Sequence, residues 1–344
     1  MDLQILDRVI NDNAIGWDSL RGSSILVTGG TGLVGSVIVR VLLRANEVLG
    51  LDTAVTIVTR DSSRAGEVFG ALADQIRVIT SDIKNIDKIK GDYDYIIHCA
   101  AVTDSKSMIT KPVETIDLSY NGTLATLKLA SQQHVKGMVY ISSMEIYGVT
   151  DKSMNPISEK KLGYVDLTNV RSSYQESKRI CELLCNSYAQ EYGVPVMSAR
   201  LAQTFGFGVR KTEGRIFAQF AKAAMEGSDI VLHTRGESVG NYVDTLDMAA
   251  AVLLLLTRGT PGQAYNVANE SNSCMIREMA QLVADNIAGG KTGIVYDIPE
   301  SNVHGYAPDT AMRLDASRLR ELGWSPRFSL EDMYRNMMDY WKEV

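Results

Sequence analysis

Histidine, cysteine, proline and aromatic residues are all scarce in this 344-residue chain, and each scarcity excludes something. There are four His and four Cys (Cys99, Cys181, Cys185 and Cys274) with no Cys-x-x-Cys pair, so neither a zinc site nor a disulfide framework is indicated. Cys181 and Cys185 stand one helical turn apart, which suits a buried helix face. Aromatic residues make up 7%, and no run of Lys or Arg interrupts a net charge of −6. Such a chain offers no track for an oligonucleotide, and any phosphate it binds must be captured locally. The longest apolar run, Met248–Leu256, falls far short of the roughly 20 residues needed to cross a bilayer. The N-terminus lacks the basic-then-apolar pattern of a signal peptide. The expectation is a soluble, cytoplasmic protein with no metal and no nucleic-acid or membrane partner.

What is present is a strand–helix alternation. Short apolar runs at 24–28, 54–59, 75–80, 93–99, 137–142 and 194–201 read as strands. Between them lie helical patterns at 34–43, 113–132 and 174–192. Strands alternating with helices of ten or more residues predict an α/β fold, a Rossmann-type doubly wound parallel sheet whose ligands bind at the carboxyl ends of the strands. Beyond residue 205 the pattern loosens into helices at 216–226, 247–257 and 276–287, a strand at 230–232 and a tail punctuated by Pro and Gly. The expected division is an N-terminal helical extension (1–22, with Leu3, Leu6, Val9 and Ile10 at helical spacing), a dinucleotide-binding domain (23–204) and a smaller mixed α/β substrate lobe (205–344). Some strand exchange between the lobes is expected.

The first strand runs into Thr28-Gly29-Gly30-Thr31-Gly32-Leu33-Val34-Gly35, with the next helix opening inside the run. Gly29 permits a tight turn, Gly32 lets a pyrophosphate approach the backbone, and Gly35 lets helix and strand pack closely. Phosphates then sit at a helix N-terminus, where free amides and the helix dipole favour anions. In that strand-to-helix context the spacing predicts a dinucleotide site. At the end of the second strand, where an acidic residue would hold both ribose hydroxyls of NAD, stand Thr59 and Arg60. Arg60 could pair with the 2′-phosphate of NADP, which favours NADP; alternatively Arg60 stacks on the adenine and Asp61 takes the ribose.

Tyr174-Gln175-Glu176-Ser177-Lys178 places Tyr and Lys four residues apart on one helix face. A free phenol titrates near pH 10, and a neighbouring ammonium, joined by a positive nicotinamide ring, would lower that value and make Tyr174 a base. Ser143, just past the fifth strand, would orient the reacting hydroxyl. A Tyr-x-x-x-Lys pair alone usually marks a solvated helix face; behind a glycine loop and a strand-end Ser-Ser it becomes specific.

Over residues 22–335 the chain resembles an extended short-chain dehydrogenase/reductase of the NAD-dependent epimerase/dehydratase family. The matching pieces are TGGTGLVG (28–35), SDI (81–83), HCAA (98–101), NGT (121–123), SSMEIYG (142–148), YQESK (174–178), RLAQTFG (200–206) and LGWSP (322–326). The resemblance implies that Asp82 and Ile83 flank the adenine, that Ala100 and Ala101 line the cofactor groove and that Asn121 braces the active-site strands. Val102, Ser142 and Leu201 join the expected cofactor set. It also implies Ser143, Tyr174 and Lys178 as catalytic residues and a homodimer built on helices 113–132 and 174–192.

The substrate such a resemblance implies is a nucleotide sugar, oxidised at C4 while Tyr174 takes the O4 proton. Reduction of the ketone from its other face gives an epimer, and removal of the C5 proton allows elimination of water. Glu145 could be the base for the second outcome or a structural hydrogen-bonding residue; Met144 cannot be its partner acid. Thr103, Met144, Gln203, Arg215 and Arg235 are the remaining substrate candidates. An arginine that clamps the nucleotide pyrophosphate in the family is replaced by Gly240, and a second is missing around Gly305–Pro308. Arg210, Lys211, Arg215, Arg235 or Arg313 could compensate. Two other readings stand beside the epimerase/4,6-dehydratase: a net NADP-dependent reductase of a keto-sugar or other carbonyl, and a protein that binds the dinucleotide without chemistry.

Overall fold

The structure is a computed structural model and describes residues 4–299 and 310–344. A 3₁₀ turn (Gln4–Leu6) and two helical turns, α1 (Asp7–Ile10) and α2 (Trp17–Leu20), lead into β1 (Ser24–Thr28). The first half then runs α3 (Leu33–Leu49), β2 (Ala54–Thr59), α4 (Ser63–Phe69), β3 (Arg77–Thr80), β4 (Tyr95–His98), α5 (Ser105–Thr110), α6 (Pro112–Gln132) and β5 (Gly137–Ser143). After it come α7 (Ser172–Tyr192), β6 (Val196–Leu201), β7 (Gln203–Phe205), α8 (Ile216–Glu226), β8 (Ile230–Leu232), β9 (Val239–Asp244) and α9 (Thr245–Arg258). The chain closes with β10 (Ala264–Val267), β11 (Asn269–Met275), α10 (Ile276–Leu282), β12 (Ile294–Tyr296), α11 (Ser317–Glu321) and α12 (Leu330–Glu343).

Seven strands form one parallel sheet in the order β10-β6-β5-β4-β1-β2-β3. Alternate residues face opposite layers, as strand geometry requires. Ile25, Val27, Ile57, Ile97, Val139 and Ala199 pack with α3, α9 and the N-terminal turns, whereas Leu26, Val58, Ile96, Met138, Tyr140 and Val196 pack with α6 and α7. Both faces are therefore apolar, which is why these strands read as continuous hydrophobic runs. Chain order reverses between β1 and β4, and at such a switch point the strand ends leave a crevice.

β7, β9 and β11 make a second, three-stranded sheet, and β8 pairs with β12. A separate core of Phe205, Phe217, Tyr242, Met333, Tyr334 and Trp341 fills this smaller lobe. The expected boundary at 204 is crossed twice. α9 lines the core beneath the large sheet, and β10 pairs with β6 as that sheet's edge strand, a seventh strand absent from the sequence reading. The N-terminal residues form three short turns rather than one helix, because Asp12 turns its carboxylate onto the Ala14 amide and pairs with Arg327. Leu6, Val9, Ile10, Ile15 and Leu20 are nevertheless fully buried, so the extension is part of the core. Leu3 lies outside the described residues.

Candidate active site

β1 ends directly in Gly29, whose φ of +64° only glycine adopts without strain. A Cβ there would also meet the Ala100 amide nitrogen at 2.8 Å, and one on Gly35 would meet the Gly29 carbonyl oxygen at 2.5 Å. These two glycines let the β1–α3 turn lie against the end of β4 and against α3 itself. Gly32 caps α3 with no side-chain hydrogen bond, and no acidic residue occupies the first turn. The first amides of a 17-residue helix thus point into the crevice unspent.

The crevice is a cavity of about 800 Å³. Its end at the glycine loop is walled by Gly29, Thr31, Gly32, Leu33, Val34 and Gly35, and its far end by Thr59, Arg60 and Ile83. Ala100, Ala101, Ser142 and Leu201 line the stretch between. Ser142 Oγ is buried without a hydrogen-bond partner among the described residues. An orphaned hydroxyl in this wall, with uncapped amides at the other, fits a bound dinucleotide.

Several expected cofactor residues sit elsewhere. Val102 does not line the cavity, and Asp82 points its carboxylate at the Lys84 amide (2.9 Å), capping the turn that carries Ile83. Asn121 donates to Asp117 on its own helix (2.6 Å) and braces no strand. That bracing belongs to His98, which the sequence reading passed over. Its Nδ1 meets Thr28 Oγ1 at 2.7 Å and its Nε2 meets Thr123 Oγ1 at 3.2 Å, tying β1 and β4 to α6. Burial first, and then the Lys178 charge, push this imidazole down to about 3, so it stays neutral. Asp61, named above as the alternative ribose partner, borders the cavity, and Arg64, Ser81, Cys99, Met108 and Leu118 do so without having been expected there.

Ser143, Tyr174 and Lys178 come together on the remaining wall. Lys178 is buried, donates from Nζ to the Ile141 carbonyl (2.7 Å), and lies 4.8 Å and 5.7 Å from the ring centroids of Tyr140 and Tyr174. Burial lowers its pKa. The phenol of Tyr174 is pushed up to about 12, chiefly by burial and then by the Glu145 carboxylate; a hydrogen bond with Ser143 and the charges of Arg171 and Arg215 act the other way. The expected lowering was assigned to the ammonium joined by a positive nicotinamide ring, and the protein's own groups do not produce it. Lys178 spends a hydrogen on a carbonyl, and desolvation outweighs the remaining attraction.

One turn beyond Lys178, Glu182 forms a buried ion pair with Arg200 on β6 (2.8 Å), and Arg200 also donates to the Tyr147 hydroxyl (3.0 Å). This pair pins α7, and with it the Tyr–Lys face, to the sheet.

Thr103, Met144, Glu145, Gln203 and Arg215 line the same cavity, which meets a smaller one of about 210 Å³ at Met144, Glu145 and Gln203. Ser238, Gly240, Tyr242, Thr310 and Met312 wall that arm. A Cβ on Gly240 would meet the Tyr242 hydroxyl at 2.6 Å, so the tyrosine occupies the space an arginine side chain would need. Arg235 is exposed and lines neither space, contrary to expectation. Of the other compensating cations, Arg210 donates to the Thr31 carbonyl (2.9 Å), Lys211 binds the C-terminal residue's carbonyl, and Arg313 borders neither cavity. The expected gap around Gly305–Pro308 lies outside the described residues. Among the described residues no cluster of His, Cys, Asp or Glu is placed to hold a metal, and no helix is long and apolar enough to cross a membrane.

A family model for the NAD dependent epimerase/dehydratase family matches residues 25–268, from β1 through β10. The chain belongs to this family. It is an enzyme of the extended short-chain dehydrogenase/reductase type. It is similar to UDP-glucuronic acid decarboxylase 6 of Arabidopsis thaliana, 28% identical over 312 residues that cover 90% of this chain and 85% of the relative. It is also similar to dTDP-glucose 4,6-dehydratase of Streptomyces antibioticus, 24% identical over 326 residues covering 93% and 92%. Among solved structures, UDP-glucose 4-epimerase of Thermotoga maritima shares the fold with a TM-score of 0.78 at 23% identity, over 93% of this chain and 99% of that one.

Proposed function

We propose that this enzyme takes a nucleotide-linked sugar, oxidises its C4 carbinol with NADP in preference to NAD, and resolves the ketone in the same cavity as an epimerase. The observation that carries the reading is the convergence of Ser143, Tyr174 and Lys178 on one cavity with the glycine loop. A nicotinamide bound there supplies the hydride acceptor. Ser143 holds the reacting hydroxyl and Tyr174 takes its proton, while Lys178 keeps a fixed positive charge beneath the phenol. Nucleotide sugars are supported by the names of relatives, which act on UDP- and dTDP-linked sugars.

Met144 has no proton to give a departing hydroxyl, which favours inversion over elimination. One observation favours a 4,6-dehydratase as the second reading: the Glu145 carboxylate lines both cavities, where a base for the C5 proton would stand. The preference for NADP rests on the end of β2. There Asp61 Oδ1 is committed to the Ser63 amide (2.9 Å) and hydroxyl (2.6 Å), while Arg60 and Arg64 border the cavity. All four cysteines are unpaired, as in a reducing compartment, and we place the enzyme in the cytoplasm.

The test is to offer the purified protein UDP-, dTDP-, GDP- and CDP-sugars and identify products by NMR. An epimer formed with no net change in nicotinamide absorbance is the expected result, and a 4-keto-6-deoxy sugar would select the dehydratase. Net, stoichiometric consumption of reduced cofactor would overturn both. Tyr174→Phe should lower kcat by about a hundredfold or more.

A further inference from the structure

On this reading Tyr174 must carry negative charge when it has given up its proton, and Glu145 brings a carboxylate to the same cavity. Two anions on one low-dielectric wall oppose each other. Between them lies Arg171, which caps the start of α7 three residues before Tyr174. Its Nη2 donates to Glu145 Oε1 at 2.9 Å, and its Cζ stands 5.9 Å from the centroid of the Tyr174 ring. The contact with Glu145 is single-pointed: Nη1 is buried with no partner among the described residues, so the guanidinium does not close the two-pronged fork that would tie up both carboxylate oxygens.

We propose that Arg171 is the positioning residue that lets two anions work side by side, cancelling the field of Glu145 at the phenol while leaving the second carboxylate oxygen to the substrate. The inference rests on Tyr174 as the base. The groups that face its ring come from several elements: Ser143 and Tyr140 from β5, Glu145 from the turn after it, Arg171 and Lys178 from α7's face, and Arg215 from the start of α8. Of the charged groups among these, only Glu145 and Arg171 form an ion pair with each other, so removing either one exposes the phenol to the other's unbalanced charge. Glu145 raises the Tyr174 pKa and Arg171 lowers it.

The experiment is a charge cycle at these two positions, read in two ways. One is the pH dependence of single-turnover C4 oxidation. The other is the ultraviolet tyrosinate titration of each variant minus the same variant carrying Tyr174→Phe, which needs no turnover. Arg171→Gln should move the Tyr174 limb up by about one pH unit, and Glu145→Gln should move it down by a similar amount. The double variant should return close to the parent, and Arg171→Lys, which keeps the charge, should stay there too. An unmoved limb in Arg171→Gln, or a double variant no nearer the parent than that single, overturns the proposal. If Arg171→Gln does not fold, Glu145→Gln decides: an unmoved limb is equally fatal. Full activity in Tyr174→Phe would instead overturn the choice of base, and the tyrosinate titration would still report on Arg171.

Discussion

Tyr174 holds its proton up to about 12 in the protein's own field, so the residue is a base only when further positive charge comes near it. That makes the phenol conditional on what else is bound, which on the proposed reading suits a residue that must give the proton back. The cofactor's adenosine end is governed in the same residue-by-residue way. Arg60 is exposed at the cavity edge, while the nearby carboxylate of Asp61 is turned toward Ser63. Arg60→Ala should weaken NADP binding by about 1.5–3 kcal/mol, roughly ten- to a hundredfold, and leave NAD nearly untouched. Titration calorimetry with the two cofactors checks it, and equal losses for both would mean that Arg60 stacks on the base.

At the scale of elements, α7, which carries Tyr174 and Lys178, and its neighbour α6 also carry an unfinished surface. Val113, Ile116 and Tyr120 on α6, with Ile109 just before it, repeat at helical spacing and are exposed, as are Ile180 and Leu183 on α7. We infer that a second copy covers this face, giving a homodimer of paired α6 and α7 helices. Sedimentation should show two chains per particle, and Leu183→Glu should shift the population to single chains. A parent that sediments as one chain would remove the idea.

Strands β1–β6 and helices α3, α6 and α7 were readable because apolar runs and glycines agree with one another there, whereas the short α4 and α5 were not read. β10 was not readable. Its four residues follow Pro261 and Gly262 and include Asn266, a buried polar residue that breaks the apolar run because it bonds the Ile157 and Asp315 carbonyls. α12 carried a legible signal, a Ser329–Asp332 capping box before Leu330, Met333, Tyr334, Met337 and Trp341 at helical spacing, which the Pro/Gly reading of the tail obscured. The site divides likewise. Tyr174, Lys178, Ser143 and the glycines follow from spacing, whereas Arg171 and His98 owe their places to contacts across 26 and 70 positions that no local pattern records.

At the scale of the molecule, two buried acids join the lobes. Asp244 ends β9, caps α9 through the Leu246 amide (2.7 Å) and receives Asn336 from α12 (3.3 Å). Asp247 accepts from the Arg327 and Phe328 amides. Burial pushes them up to about 8 and about 7, well above the 3.8 of a free side chain. With folded values above the unfolded ones, their contribution is whole below about 3.8 and is lost as pH rises through about 7 and about 8. Asp244→Asn should therefore lose less stability than the parent over that rise. Urea unfolding at a series of pH values measures it, and parallel curves would show that Asp244 does not titrate there.

The return of residues 245–267 to the large sheet also governs how the protein can be made. Until the ribosome has released β10, β6 is an open edge and the layer beneath it lacks the apolar wall that α9 provides. The glycine loop is synthesised well before β10, yet the sheet that holds it is completed only when residues 264–267 have followed. A prematurely terminated product would carry the whole nucleotide fingerprint and still be prone to clump before it could bind one.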